Sequence, residues 1–267
     1  MSFRDVFPDG RALIGMVHLE PLPGSPRHDA GKGMAHVVER AVADAAALEA
    51  GGMDGIMIEN FGDSPFWPES VPPVTVAALT AAALRVRERV SLPIGINVLR
   101  NDVRSALAIA AVTGARFVRV NVHIGAVVTD QGLVQGRAHE TLRTRAALGA
   151  RDVAILADVA VKHSQPLGER APLESEAREA AERGLADGLI LTGTATGVPG
   201  APWELKCVRD ELPDVPVLAG SGVEPSTVGE FLEVADGVIV GSALEEEGVA
   251  GMPVDPDRVR EFVRSAR

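Results

Sequence analysis

Residues 153–164 read VAILADVAVKHS. The first seven, 153–159, form an apolar run of strand length that carries one acid, Asp158, and the stretch then closes on Lys162 and His163. Seven more short apolar runs have the same character: 12–18 (ALIGMVH), 55–59 (GIMIE), 93–98 (PIGINV), 117–122 (FVRVNV), 187–192 (DGLILT), 216–219 (PVLA) and 237–240 (GVIV). Between and after them lie Ala-rich amphipathic segments at 33–50, 73–89, 102–113, 138–149, 173–184, 202–210, 225–233 and 256–266. Strict alternation of strand and helix demands parallel crossovers. Eight such units in a chain of 267 residues predict an α/β fold, a (β/α)8 TIM barrel, with a doubly wound open sheet as the alternative. Gly51, Gly52, Gly114 and Gly149 stop predicted helices, and Pro93 and Pro216 stand at strand starts, where a missing N–H is tolerated.

Nothing along the chain reads as a linker, so one barrel domain over 1–267 is expected. Hydrophobic residues make up 46%, enough for a core without disulfides or structural metal. Cys207 stands alone, which excludes an intrachain disulfide, and no Cys/His spacing resembles a zinc site. The net charge of −11 argues against nucleic acid as a partner, because phosphate affinity rests on clustered Lys and Arg. No basic-then-apolar leader and no run long enough for a membrane span occur, so a cytoplasmic location is expected. A homo-oligomer is expected on general grounds for barrels of this size.

The long segments, 19–32, 60–72, 123–137 and 193–201, all follow strands, which in a barrel gathers them on the C-terminal face where such folds carry their sites. Strand parity then selects side chains. With Val118 and Val120 toward the helices, Arg119, Asn121 and His123 point inward; Glu59, Asn97 and His18 follow from the same rule. Asp158 faces in, and Lys162 shares its face if the alternation survives the strand end. Several ionisable groups aimed at one mouth must pair with each other, with water or with ligand, since an unpaired buried polar group costs about 1–3 kcal/mol.

Lys162 has three readings: a surface lysine, a charged partner for a phosphate or carboxylate, or an imine-forming or proton-transferring amine, which needs burial or neighbouring cations. Pairing with Asp158 favours the charged role. No cofactor is identified; a divalent metal held by Glu59, Asp158 and either His123 or His18 is the alternative for the acids. His163 has the opposite parity and is read as an outer or loop residue. Glu245-Glu246-Glu247 is read as a solvated acidic patch, and Phe66-Trp67-Pro68 as an apolar lid, with a subunit contact as the alternative.

Two small-residue loops, Gly220-Ser221-Gly222 and Gly241-Ser242-Ala243, follow the last two predicted strands. Backbone N–H groups in such loops can approach an anion, and their position matches the phosphate site of this fold.

The segments IGMVHLEPLPGSPRH (14–28), GGMDGIMIENFGDSPF (51–66), PIGINVLRND (93–102), FVRVNVHIGAVVTDQG (117–132), ADVAVKHS (157–164), GLILTGTATG (188–197), LAGSGV (218–223) and GVIVGSAL (237–244) together resemble the BtpA/SgcQ family over nearly the whole chain. The resemblance implies a TIM-type barrel of the ribulose-phosphate-binding group. It also implies functional residues at His18, Glu59, Asn97, Asn121, His123, Asp158, Lys162, Thr192 and Thr194. The family's founding member is associated with photosystem I biogenesis, while relatives in organisms without photosynthesis are described only by an assigned role in sugar or nucleotide metabolism.

The expected activity is that of an enzyme on a small phosphorylated sugar or nucleoside-like metabolite. Glu59 and Asp158 act as base or metal-binding acids, and Lys162 and His123 stabilise negative charge or donate a proton. His18, Asn97, Arg119, Asn121, Thr192 and Thr194 contact the substrate. Isomerisation, epimerisation, bond cleavage and glycosidic chemistry all fit. A non-catalytic assembly or stability factor is the alternative, and a ligand sensor a third.

Overall fold

The computed structural model describes residues 3–193, 197 and 200–267. Eight parallel strands close into a barrel: β1 (Ala12–His18), β2 (Gly55–Glu59), β3 (Ile94–Asn97), β4 (Phe117–Val120), β5 (Ala154–Val159), β6 (Gly188–Leu191), β7 (Val217–Gly220) and β8 (Gly237–Val240). Each strand pairs with its neighbours in sequence, and β8 closes onto β1. Outside them run α1 (Gly33–Gly51), α2 (Pro73–Arg89), α3 (Val103–Thr113), α4 (Ala138–Ala147), α5 (Leu173–Arg178), α6 (Pro202–Glu211), α7 (Val228–Val234) and α8 (Pro256–Ala266). The open-sheet alternative is thereby excluded. Among the described residues no helix is long and apolar enough to cross a membrane.

The two strand faces build two cores. Outward residues such as Ile56, Ile58, Val118, Val120, Ile155, Ala157 and Val159 pack in one buried cluster with the inner faces of the helices. Inward residues Ile14, Met16, Met57, Phe117, Leu156, Ile190, Leu218 and Ile239 form a second cluster, plugged from below by Phe3 and Phe7 of a short N-terminal helix and the turn after it. Barrel interiors fill only if bulky and small residues alternate around the ring. Gly95 yields its space to Phe117, whose ring a Cβ there would meet at 2.1 Å, and Gly220 yields to Ile190, which a Cβ would meet at 2.4 Å.

One local device recurs at the bottom. β2, β6 and β8 each begin with Asp-Gly: Asp54-Gly55, Asp187-Gly188 and Asp236-Gly237. Each aspartate donates its N–H to the carbonyl of the first or second residue of a neighbouring strand: Leu13, Ile155 and Val217, all at 2.8 Å. Its carboxylate accepts that same residue's N–H at 2.8, 2.8 and 2.9 Å. The strand starts are thus clamped in pairs, β1 to β2, β5 to β6 and β7 to β8, without a loop of any length.

The segment 123–137, expected as a loop, instead holds a β-hairpin, Ala126–Thr129 against Gly132–Gln135, extended by Gln165–Pro166. Its signal was the pair AVVT and GLVQ around Asp130-Gln131. Val134, Val122 and Val161 give it a small core of its own, so the segments after β4 and β5 are packed together beside the mouth. Substituting Asp236→Ala leaves the Val217 N–H without this acceptor and is expected to lower unfolding free energy by about 1–3 kcal/mol in urea titrations; an unchanged midpoint would show the clamp to be dispensable.

Candidate active site at the barrel mouth

The centre of the mouth is a buried ion pair. Arg119 of β4 donates through Nε to Asp158 Oδ1 at 2.8 Å and through Nη2 to Oδ2 at 3.0 Å, and Asn121 Nδ2 donates to the same Oδ2 at 2.8 Å. Burial by itself would depress the Arg119 guanidinium, but the Asp158 carboxylate, aided by Glu59, outweighs it and holds Arg119 above the ordinary arginine value. Both Asp158 oxygens are therefore taken. This corrects three expectations at once: Asp158 is not the partner of Lys162, not a free base and not an available metal ligand.

Lys162 reaches the mouth by a different route from simple alternation. β5 ends at Val159 and Ala160 takes a left-handed conformation with φ 52°. The chain is then held by Glu176, whose carboxylate accepts the Ala160 N–H at 2.9 Å, by Thr192 Oγ1, which accepts the Lys162 N–H at 3.1 Å, and by Arg100 Nη2, which donates to the Lys162 carbonyl at 2.7 Å. Burial, then the positive charge of Arg119 and of Arg100, lower the Lys162 amine from 10.5 to about 8, against the opposing pull of Glu59 and Asp158. The ammonium is thus held less firmly than the expected pairing with Asp158 would hold it, while remaining the main form at neutral pH. The two conditions for a proton-transferring lysine, burial and neighbouring cations, are both present.

A second polar chain crosses from β1 to β3. His18 Nδ1 lies 2.7 Å from Glu245 Oε1; a carboxylate only accepts, so Nδ1 carries the proton. His18 Nε2 faces Glu59 Oε1 at 3.8 Å, and Asn97 Nδ2 donates to Glu59 Oε2 at 2.5 Å. The imidazole stacks on Phe61 with centroids 4.4 Å apart. Glu245 is 1% exposed and also accepts the Gly251 N–H at 3.0 Å, while Glu246 and Glu247 are exposed. The solvated-patch reading holds for the last two and fails for Glu245. Its sequence signal was weak: only the apolar Ala243-Leu244 before it marks the element as tucked inward.

These groups line a cavity of ≈ 690 Å³ whose floor is Glu59, Arg119, Asn121 and Lys162, whose walls include Phe61, Phe66, Leu99 and Met252, and whose rim carries Arg100, Asp130 and His163. A recess of ≈ 30 Å³ opens beside it, lined by Ser221, Gly222, Gly241 and Ser242 together with His18, Glu59, Arg119 and Lys162. Of the glycine-loop residues, Gly220 serves packing inside the barrel, and Ala243 is buried in the helix-side core. Thr192 sits behind the mouth as an acceptor for the Lys162 backbone, and Thr194 lies outside the described residues.

His123 does not join the mouth. It is 1% exposed, and its Nε2 donates to the Gly184 carbonyl at 2.8 Å on the helix side; burial lowers its pKa and favours the neutral ring. The chain turns out of strand geometry after Val120, so parity no longer orients residue 123. Among the described residues no three His, Cys, Asp or Glu side chains converge as metal ligands, and of the expected set Asp158 pairs with Arg119 and His123 with the Gly184 carbonyl. His163, exposed in its loop, borders the cavity. Trp67 is 58% exposed and Phe66 half-buried, so only the phenylalanine forms part of the wall. Arg100 was not singled out by sequence because it lies three residues beyond β3, past the reach of parity.

Comparison with known proteins follows the geometry. The family model described as "BtpA family" matches residues 9–267. A Photosystem I biogenesis protein BtpA from Synechocystis is 47% identical over 99% of this chain and 91% of its own length. The putative sgc region protein SgcQ of Escherichia coli is 33% identical over 97% of this chain and 96% of its own. Among solved structures, (S)-3-O-geranylgeranylglyceryl phosphate synthase from Thermoplasma acidophilum, in complex with its substrate sn-glycerol-1-phosphate, superposes with a TM-score of 0.62 at 15% identity, covering 100% of this chain and 98% of that one.

The lowered amine has a consequence for stability. Below about pH 8 Lys162 is protonated in the folded and the unfolded chain alike, and the cost of burying the ammonium is borne in full; that cost fades as pH rises from about 8 to 10.5, where the folded amine is already neutral. Lys162→Met is therefore expected to raise unfolding free energy at pH 7, by an amount that shrinks across that window. A variant equally or less stable than the parent at pH 7 would contradict the buried, cation-flanked amine.

Proposed function

The chain belongs to the BtpA family, and from that premise we propose that it is an enzyme acting on a small phosphorylated sugar or nucleoside-like metabolite at the barrel mouth. The observation that carries the reading is Lys162: an amine lowered to about 8 that lines both the large cavity and the recess between the glycine loops. Ser221, Gly222, Gly241 and Ser242 hold the phosphate, where small side chains let backbone N–H groups close on an anion. Their place after β7 and β8 is the phosphate position of this fold, and the Thermoplasma synthase of like fold is a complex with a glycerol phosphate.

Lys162 then exchanges a proton with the substrate, and its pKa near 8 is suited to doing so in either direction close to neutral pH. Arg119, fixed by Asp158, presents permanent positive charge beside the amine, so negative charge developing on a substrate oxygen is stabilised without rearrangement. Glu59, held by Asn97, and His18, held by Glu245, are the remaining acid–base pair facing the same space. Proton-transfer chemistry such as isomerisation or epimerisation uses all four. Asp158 serves by positioning Arg119, and His123 has no part at the mouth.

One observation favours an assembly role as the second reading. Trp67, in a chain with two tryptophans, is 58% exposed, and the Synechocystis relative is named for photosystem I biogenesis. An assembly factor needs Trp67 and not Lys162.

Thermal unfolding with saturating sn-glycerol 1-phosphate, ribose 5-phosphate or a nucleoside monophosphate tests the proposal. At about 100 times Kd, binding adds about 2.7 kcal/mol of stability, a rise of several degrees for a chain of this size. Ser242→Asp, which sets a carboxylate against the anion, is expected to abolish the rise. No shift with any phosphorylated probe, or an undiminished shift in Ser242→Asp, would contradict the phosphate seat. For any substrate then found, Lys162→Met is expected to lower kcat at least about 100-fold.

A further inference from the structure

Arg100 stands out among the charged groups of the molecule. It is 5% exposed, yet among the described residues no carboxylate lies within 4 Å of it as an ion-pair partner, and its Nε has no hydrogen-bond partner. Among the described residues its guanidinium makes one hydrogen bond, from Nη2 to the neutral carbonyl of Lys162 at 2.7 Å. Burying a guanidinium without a counter-charge is costly, and proteins avoid it by pairing. The charged groups that act on it are the carboxylates Asp158, Glu59 and Asp130 and, on the cationic side, Arg119, Lys162 and, when protonated, His163. Asp158 gives both oxygens to Arg119 and Asn121. Glu59 is held by Asn97 beside His18. Arg119 carries like charge. Asp130, at the tip of the hairpin, lines the cavity and acts on Arg100 from beyond ion-pair distance. Desolvation, helped by the like charge of Arg119, lowers the Arg100 pKa, with Asp158, Glu59 and Asp130 opposing it from a distance.

The position of Arg100 gives this deficit a direction. It follows β3, and the glycine loops follow β7 and β8; around the ring β3 and β7 are opposite strands. The large cavity, which Arg100 lines, and the recess at the glycine loops share Glu59, Phe61, Arg119 and Lys162. A ligand seated with a phosphate in the recess therefore runs past Lys162 toward Arg100.

We infer that the ligand of this mouth carries a carboxylate at the end opposite its phosphate, and that Arg100 is the residue that binds it. The inference deepens the proposed function and rests on it for the phosphate end. One uncompensated guanidinium calls for one negative charge, and its planar array of donors suits a planar carboxylate. The substrate class is thereby narrowed from phosphorylated sugars in general to phosphorylated acids.

Isothermal titration of the full chain with three related probes separates the two ends: glycerol phosphate (phosphate alone), glycerate (carboxylate alone) and phosphoglycerate (both). Phosphoglycerate is expected to bind about tenfold or more tighter than glycerol phosphate, the worth of one charge-assisted hydrogen-bonded pair, and Arg100→Gln is expected to erase that difference while leaving glycerol phosphate binding intact. Equal affinity of the parent protein for phosphoglycerate and glycerol phosphate overturns the carboxylate site while the phosphate seat stands. Glycerate bound as tightly as phosphoglycerate, with loss in Arg100→Gln, supports the carboxylate site and overturns the phosphate seat. Tighter binding of glycerol 1,3-bisphosphate than of phosphoglycerate, lost in Arg100→Gln, overturns the choice of carboxylate. The comparison of probes on the parent protein decides the matter even if Arg100→Gln does not fold.

Discussion

The pairing of Arg119 with Asp158 is the interaction on which the mouth depends. Two adjacent strands each send one polar side chain inward at the level where the apolar filling of the barrel ends, and the two ions neutralise each other, with Asn121 donating a third hydrogen bond to the carboxylate. A buried pair of this kind contributes little net stability. Its effect is electrostatic placement: a guanidinium that cannot move stands beside the Lys162 amine, and a carboxylate that would otherwise neutralise that amine is withdrawn from it. The depressed lysine, the uncompensated Arg100 and the absence of Asp158 from any free acid–base role all follow from this one commitment.

The barrel itself was legible in the sequence because its signals are local and repeated. Eight apolar runs of strand length separated by helical segments leave few topologies once crossovers must be parallel, and residues 9–267 match the family those segments resembled. Inside the strands, parity placed Glu59, Arg119 and Asp158 on the correct face, since a two-residue period is enforced by the pleat.

Legibility failed where the chain left strand geometry. His123 and Lys162 both lie three residues past a strand end; the first turned back to the helix layer at Gly184 and the second reached the mouth only through a left-handed residue at Ala160. Arg100 escaped notice and Glu245 was misread as solvated for the same reason. Partners were harder still to read, because Arg119 and Asp158 are 39 residues apart and His18 and Glu245 are 227 apart, and nothing local distinguishes a carboxylate that meets an arginine from one that meets a lysine. Asp54, Asp187 and Asp236 show the converse: a repeated Asp-Gly at strand starts is visible in the sequence, and its meaning as a clamp appears only once neighbouring strands are side by side.

The chain's three lysines make the central claim open to direct observation. In protein labelled with 13C and 15N at lysine, with Lys162→Met used to assign its resonance, the Lys162 Cε and Nζ signals can be followed from pH 6 to pH 11. The account predicts a titration midpoint near 8 for Lys162, set by burial and by Arg119. A midpoint near the ordinary lysine value of 10.5 would mean that the amine is solvated or paired, and would contradict the arrangement from which the proposed chemistry proceeds.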